Sequence, residues 1–228
     1  MPRKYKKRTY KKKKKWVRKR KRIPLPLGGF TDTKIVRLRW VKAIKIDAGA
    51  NSFAIAEFNA NGPYRVQTSD THQPANFDVW MRRYSKYTVL GSKITATFTP
   101  DAAAQIIPGY VGIYLTQVNT ELATLLTNGV ANAMEQKNTV KMAPLAALQS
   151  TTRSLTKGFS PAKLFGVPKI GNQIDDKFIG DVTKNPAALG YFQLFVASID
   201  GNNPGEMDFL VTVDFTLKLS GLLQQSPS

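Results

Sequence analysis

Residues 207–220, MDFLVTVDFTLKLS, decide the architecture. Phe209, Val211, Val213, Phe215, Leu217 and Leu219 occupy every second position, with Thr212, Asp214, Thr216 and Lys218 between them. Successive side chains of an extended chain point to opposite faces. This period of two therefore predicts a strand with one face in a core and the other facing out. The same period governs residues 35–46, where Val36, Leu38, Trp40, Ile44 and Ile46 share one face and Arg37, Arg39 and Lys45 the other. Residues 191–199, YFQLFVASI, are apolar on both faces, which predicts a central strand covered on both sides.

Five further stretches read as strands. Residues 53–58 lie between the turn DAGAN (47–51) and the loop NANGP (59–63). Residues 89–99 place Leu90, Ile94, Ala96 and Phe98 inward and Lys93, Thr95 and Thr97 outward, and Pro100 stops them. Residues 110–118, 139–145 and 151–159 complete the set. Two stretches have a helical period. Pro74 leads into Phe77, Trp80, Met81 and Tyr84, spaced i, i+3, i+4, i+7 as on one helix face, where core packing is the expected role. Residues 120–134 set Leu122, Leu125 and Leu126 on one side, with Gly129 as the stop. Residues 160–189, rich in proline and glycine, read as loops. About eight strands without a βαβ rhythm predict an all-β, antiparallel, two-sheet architecture, either sandwich or jelly roll, with one or two short helices in its connections.

The N-terminus is of another kind. Residues 1–22, MPRKYKKRTYKKKKKWVRKRKR, hold fifteen cations: Arg3, Lys4, Lys6, Lys7, Arg8, Lys11, Lys12, Lys13, Lys14, Lys15, Arg18, Lys19, Arg20, Lys21 and Arg22. No acid precedes Asp32. The whole chain is formally +19, so taking away these fifteen leaves only +4 on residues 23–228. A block of like charge repels itself and buries little apolar area, so this arm is expected to be disordered alone. Its natural partner is a polyanion, bound with counterion release and a steep dependence on salt. Tyr5, Tyr10 and Trp16 are interleaved with the cations, which suits stacking on unpaired bases. Such a run also reads as a nuclear localisation signal or a binder of anionic lipid. Residues 23–33, IPLPLGGFTDT, form a proline and glycine hinge before a body over 34–220, and 221–228 is a tail. Lys34, Arg37 and Arg39, just past the hinge, extend the candidate nucleic-acid-binding set.

Several chemistries find no foothold. Cysteine is absent, so disulfides, zinc–thiolate sites and cysteine nucleophiles are excluded. The basic N-terminus is followed by no apolar signal segment, and no stretch is long and apolar enough to span a membrane, so a soluble, nonsecretory protein is expected. The single histidine, His72, sits in a polar loop without a nucleophile motif, and no phosphate loop or dinucleotide fingerprint occurs. Asp175, Asp176 and Asp181 are the one local acid group, where a solvated loop or an ion pair between subunits outweighs calcium binding. No enzyme activity, catalytic residue, cofactor or metal is expected.

A cationic arm on a jelly-roll-like body resembles viral capsid proteins. The stretch YSKYTVLGSKITATFTP (84–100) sharpens this. Its Tyr84, Tyr87, Lys93, Ile94, Phe98 and Pro100 resemble the YxxYxVxxxKVxFxP pattern of capsid proteins of small circular single-stranded DNA viruses, the circovirus-like group. The segment YFQLFVASIDGNN…MDFLVTVDFTLKLS resembles the last two strands of that group. The arm is mostly lysine, where circoviruses proper favour arginine. The resemblance implies an eight-stranded jelly roll and a closed icosahedral T=1 shell of about sixty copies. It further implies arms turned onto a single-stranded DNA genome, entry through the host nuclear import machinery and a place in the virion, with assembly in the nucleus. Two other readings stay open from the residues themselves, an RNA-virus jelly-roll capsid protein and a monomeric nucleic-acid-binding module.

Overall fold

The computed structural model describes residues 32–48, 51–98, 109–136, 141–145, 152–168, 171–199, 201 and 206–223. The basic arm (1–22), nearly all of the hinge and most of the tail lie outside the described residues. In chain order the elements are β1 (Thr33–Ile46), β2 (Phe53–Asn59), α1 (Phe77–Met81), β3 (Tyr84–Phe98), β4 (Gly109–Thr116), α2 (Glu121–Thr127), α3 (Val130–Glu135), β5 (Lys141–Leu145), β6 (Arg153–Phe159), α4 (Pro161–Leu164), α5 (Gly171–Ile174), β7 (Ile179–Gly180), β8 (Tyr191–Ser198) and β9 (Met207–Leu222).

The strands form two antiparallel sheets. The first has the order β1-β9-β3-β6, with the two-residue β7 also on β3, and the second has the order β2-β8-β4-β5. The chain crosses between the sheets from β1 to β2, β2 to β3, β3 to β4, β5 to β6, β7 to β8 and β8 to β9, and this shuttling is the jelly-roll topology. The fold is therefore an all-β, two-sheet jelly roll. Its eight principal strands are joined by a ninth, β7, among the described residues.

Alternation positions the first sheet. Trp40, Phe209, Val211, Val213, Phe215, Leu217 and Leu219 are all buried, facing Phe58, Val111, Ile113 and Phe192 of the second sheet. The other side of this sheet is partly covered at one end, where Thr88 is buried and Lys218 donates to Gln173 of α5, and open over the rest among the described residues. Arg37, Arg39, Val41 and Lys45 of β1 and Asp208 and Leu210 of β9 are exposed on it. The second sheet is covered on both sides. Its outer face, with Tyr114, Phe195 and Ala197, packs under Leu122, Leu126 and Ala133 of α2 and α3. That is why β8, central between β2 and β4, is apolar at nearly every position. One acid lies on this covered face: Glu57 accepts a hydrogen bond of 3.3 Å from Gln193 Nε2, which also donates to the Asn119 carbonyl. Burial raises the Glu57 carboxyl above its usual range, with the Gln193 bond opposing.

Several expectations are corrected. Leu90 is not an inward residue. The β3–β9 register shifts between Val89 and Gly91, so Leu90 is the extra residue of a β-bulge. Tyr87 and Val89 point inward before it, Ser92, Ile94, Ala96 and Phe98 after it, and Leu90 itself is only half-buried. The bulge changes the phase that a strict period of two assumes. Tyr84 belongs to β3 rather than to the helix, which is the single short segment Phe77–Met81. The short helix that Gly129 is expected to end is α2, while beyond Gly129, at φ 109° in a conformation open to glycine, comes a second short helix, α3, that the sequence pattern does not predict. Residues 160–189 are loop-rich as expected, with the short α4, α5 and β7 set among the loops. β7 needs Gly180, where a Cβ would lie 2.3 Å from the Tyr87 ring.

At the outer edge of the first sheet, a loop closes over β1. The Trp40 indole donates to the His72 carbonyl at 3.0 Å, and the Ala75 amide donates to the Arg39 carbonyl at 3.3 Å.

Candidate nucleic-acid interface

Of the sequence-derived site residues, the arm cations Arg3 to Arg22 and Trp16 lie outside the described residues. Lys34, Arg37 and Arg39 are described, and the structure does not bring all three together. Lys34 shares the phase of Val36 and Leu38, and its ammonium stands over the Trp80 ring, 4.4 Å from the centroid. Arg37 and Arg39 have the opposite phase and lie on the outer face of the first sheet.

Strand register builds the site around them. Arg39 of β1 stands opposite Asp214 of β9, and Asp214 stands opposite Lys93 of β3. Neighbouring strands are ~4.8 Å apart, so the carboxylate is flanked by a cation on either side. Arg39 engages it with both arms of its fork, Nε to Oδ1 at 2.7 Å and Nη2 to Oδ2 at 3.3 Å. That hydrogen bond, then the charge of Asp214, holds the guanidinium pKa above its ordinary value. In the next row Arg37 faces Thr216, which faces Gly91.

Between these rows lies an open depression of about 590 Å³, walled by Arg37, Arg39, Lys93 and Asp214. Gly91, next to the bulge, and the buried Phe159 and Phe215 also line it, and Gly158 stands opposite Lys93 on β6. Thr95, Thr212 and Thr156 continue the same rows with hydroxyls. The face thus offers cations, hydroxyls and no exposed aromatic ring around the depression. It can hold an anion through hydrogen bonds and charge, not through stacking.

Sequence reasoning missed Lys93, Asp214 and Thr216 as members of this site. The outward phase of Lys93 and Asp214 was readable. Their adjacency to Arg39 was not, because it depends on the pairing of β9 between β1 and β3. Other charged residues are spent locally. Lys45 pairs with Glu206, and Lys42 with Asp70 at 2.9 Å. Asp175 accepts from the Lys177 amide at 3.1 Å and Asp181 from the Thr183 amide at 2.7 Å, each fixing its own turn. His72 contributes its carbonyl to Trp40, and its ring lies 5.8 Å from the indole. Arg82 is exposed after α1, beside His72 and Asp78, and the Arg83 carbonyl accepts from the Leu223 amide at 2.8 Å.

No protein-family model matches the chain, and no curated protein matches it. Among solved structures the chain is similar to the decameric BFDV capsid protein, with 9% identity, 82% of this chain and 99% of that chain covered, and a TM-score of 0.47. It is similar to Desmodium yellow mottle tymovirus at 11% identity, covering 93% of this chain and all of the other, with a TM-score of 0.42. A third likeness is to the mud crab tombus-like virus, at 9% identity, 87% and 94% coverage and a TM-score of 0.46.

Proposed function

We propose that this chain is a viral capsid protein that assembles with its own copies into a small closed shell and packages single-stranded nucleic acid through its basic N-terminal arm. The observation that carries the reading is the division of charge on a jelly roll. Fifteen cations occupy the first 22 residues, while the remaining 206 residues are formally +4. Jelly rolls serve as shell and lectin domains, and a near-neutral body packs against copies of itself without strong repulsion. The arm supplies what such a body lacks, a sequence-independent hold on phosphate. Arg37 and Arg39 extend that charged surface onto the folded unit.

The genome in this reading is single-stranded DNA, the shell has about sixty copies, and the arm doubles as a nuclear entry signal. The protein would then reside in the virion and pass through the host nucleus during assembly. Its role in this reading is structural.

Negative-stain microscopy of the full-length chain, beside a form lacking residues 1–22, tests this. Uniform spheres of roughly 20 nm are expected, filled for the full chain and empty for the shortened one. Particles that stay monomeric across salt and concentration would sink it in favour of a monomeric nucleic-acid-binding module. Digestion of the extracted contents by a DNase or an RNase then separates DNA from RNA.

A further inference from the structure

We propose that the open depression beside Gly91 on the outer face of the first sheet binds a phosphodiester, with Arg37 and Lys93 as donors and Asp214 as a built-in counter-charge that limits affinity. This deepens the nucleic-acid reading above and rests on it.

Three cations and one acid meet around the depression, and the acid is already committed. Both Asp214 oxygens accept from Arg39. The side chains of Arg37 and Lys93 have no ion pair or hydrogen bond among the described residues. Both are exposed. Gly158, opposite Lys93 on β6, adds no side chain beside it, and a Cβ there would meet nothing within 4 Å, whereas a Cβ at Gly91 would lie 3.2 Å from the Phe159 carbonyl. The Thr216 side chain stands beside Arg37 in register and adds a hydroxyl. A guanidinium, an ammonium and a hydroxyl around an open floor match the oxygens of a phosphate, and the two rings that line it, Phe159 and Phe215, are buried and give a base little to stack on. The sheet therefore holds the backbone of the strand, while base contacts fall to the arm. Asp214 works against this hold. It neutralises Arg39 and repels an incoming anion from the centre of the row, which keeps the site weak and exchangeable.

Fluorescence anisotropy on the full chain tests the site. The probes are a twelve-residue oligothymidylate and an abasic twelve-mer of the same length, titrated over a series of salt concentrations. Each phosphate contact contributes about 0.7 to the slope of log K against log salt for a single strand. Arg37→Ala and Lys93→Ala are each expected to reduce the slope by about 0.7 and the affinity at 0.15 M salt by about fourfold. Asp214→Asn is expected to move both the other way, since it releases Arg39. All three shifts should be equal on the two probes. Arg37→Gln and Lys93→Gln remove the same charge with less loss of side chain, and thermal melts confirm that each variant is folded.

Tight binding with slopes unchanged in Arg37 and Lys93 variants would overturn the site and leave the arm reading standing. A full chain that binds neither probe would overturn the nucleic-acid reading itself. Variants that lose binding to phosphatidylserine vesicles while keeping both probes would assign the face to a lipid surface and also overturn the inference.

Discussion

The two sheets share one core but differ in what lies behind them. The second sheet carries its own cover, because the chain between β4 and β5 supplies α2 and α3, and these seal Tyr114, Phe195 and Ala197 from water. Over the centre of the first sheet the described residues supply no such layer, and its outer rows hold Arg37, Arg39, Asp214, Lys93 and threonines, with Val41 and Leu210 exposed beside them. A sheet covered from within is finished by its own sequence. A sheet without that cover offers its charged and apolar side chains to a partner.

The largest expected effect tests that asymmetry directly. Phe195→Ala, on the covered face of the second sheet, should cost about 3–5 kcal/mol in urea denaturation. Leu210→Ala, on the outer face of the first sheet and 51% exposed, should stay within about 0.5 kcal/mol. Equal losses would mean that the first sheet is also covered in the folded monomer.

Deleting Leu90 should have an intermediate effect, about 1–3 kcal/mol. The deletion removes the residue that has no partner on β9, and Val89, Gly91 and Ser92 then alternate in, out, in. The first sheet depends on phase rather than on strand length, so the chain should still melt cooperatively. Failure to fold would show that the bulge itself is required.

A smaller effect separates the acids of the two faces. Because burial raises the Glu57 pKa, the folded state holds its proton to higher pH than the unfolded state does. Stability therefore falls as pH rises from the ordinary glutamate range through the raised value. Glu57→Gln should remove that fall and leave the chain more stable at neutral pH, as read by melts between pH 4 and 8. Asp208→Asn, on the exposed face, should change stability by no more than about 0.5 kcal/mol.

The smallest expected effect is that of Arg39→Ala. The Arg39–Asp214 pair is solvent-exposed, and such pairs contribute little to folding. Its melting temperature should match that of the parent within the scatter of repeats. A clear drop would mean that the row is a structural network.

The first sheet was readable in the sequence because water on one side enforces alternation. Residues 207–220 and 35–46 declare both their strands and their faces. β8 declared its central place by lacking any alternation. The bulge at Leu90 was hidden, since a single extra residue looks like ordinary sequence until its partner strand is known. Tyr84 was drawn into a helical pattern because an aromatic at i+7 fits either element. Arg39, Asp214 and Lys93 lie far apart in the chain and become one row only through strand pairing, which local periodicity does not encode. Lys34 was grouped with Arg37 and Arg39 by closeness in sequence, although its odd-numbered spacing from both sends it to the other face.

The loop that closes over β1 carries a consequence for how copies meet. A fourteen-residue edge strand is a template on which a foreign strand can add. Here the carbonyl of Arg39 is already occupied by the Ala75 amide, midway along that edge. A second strand cannot zip past this point without expelling the loop and breaking the Trp40–His72 bond. Strand addition, the shortest route from a crowded β protein to a fibril, is interrupted there. Neighbouring copies are left to meet through side-chain surfaces, which fix an angle between partners and so permit a closed assembly in place of an endless one.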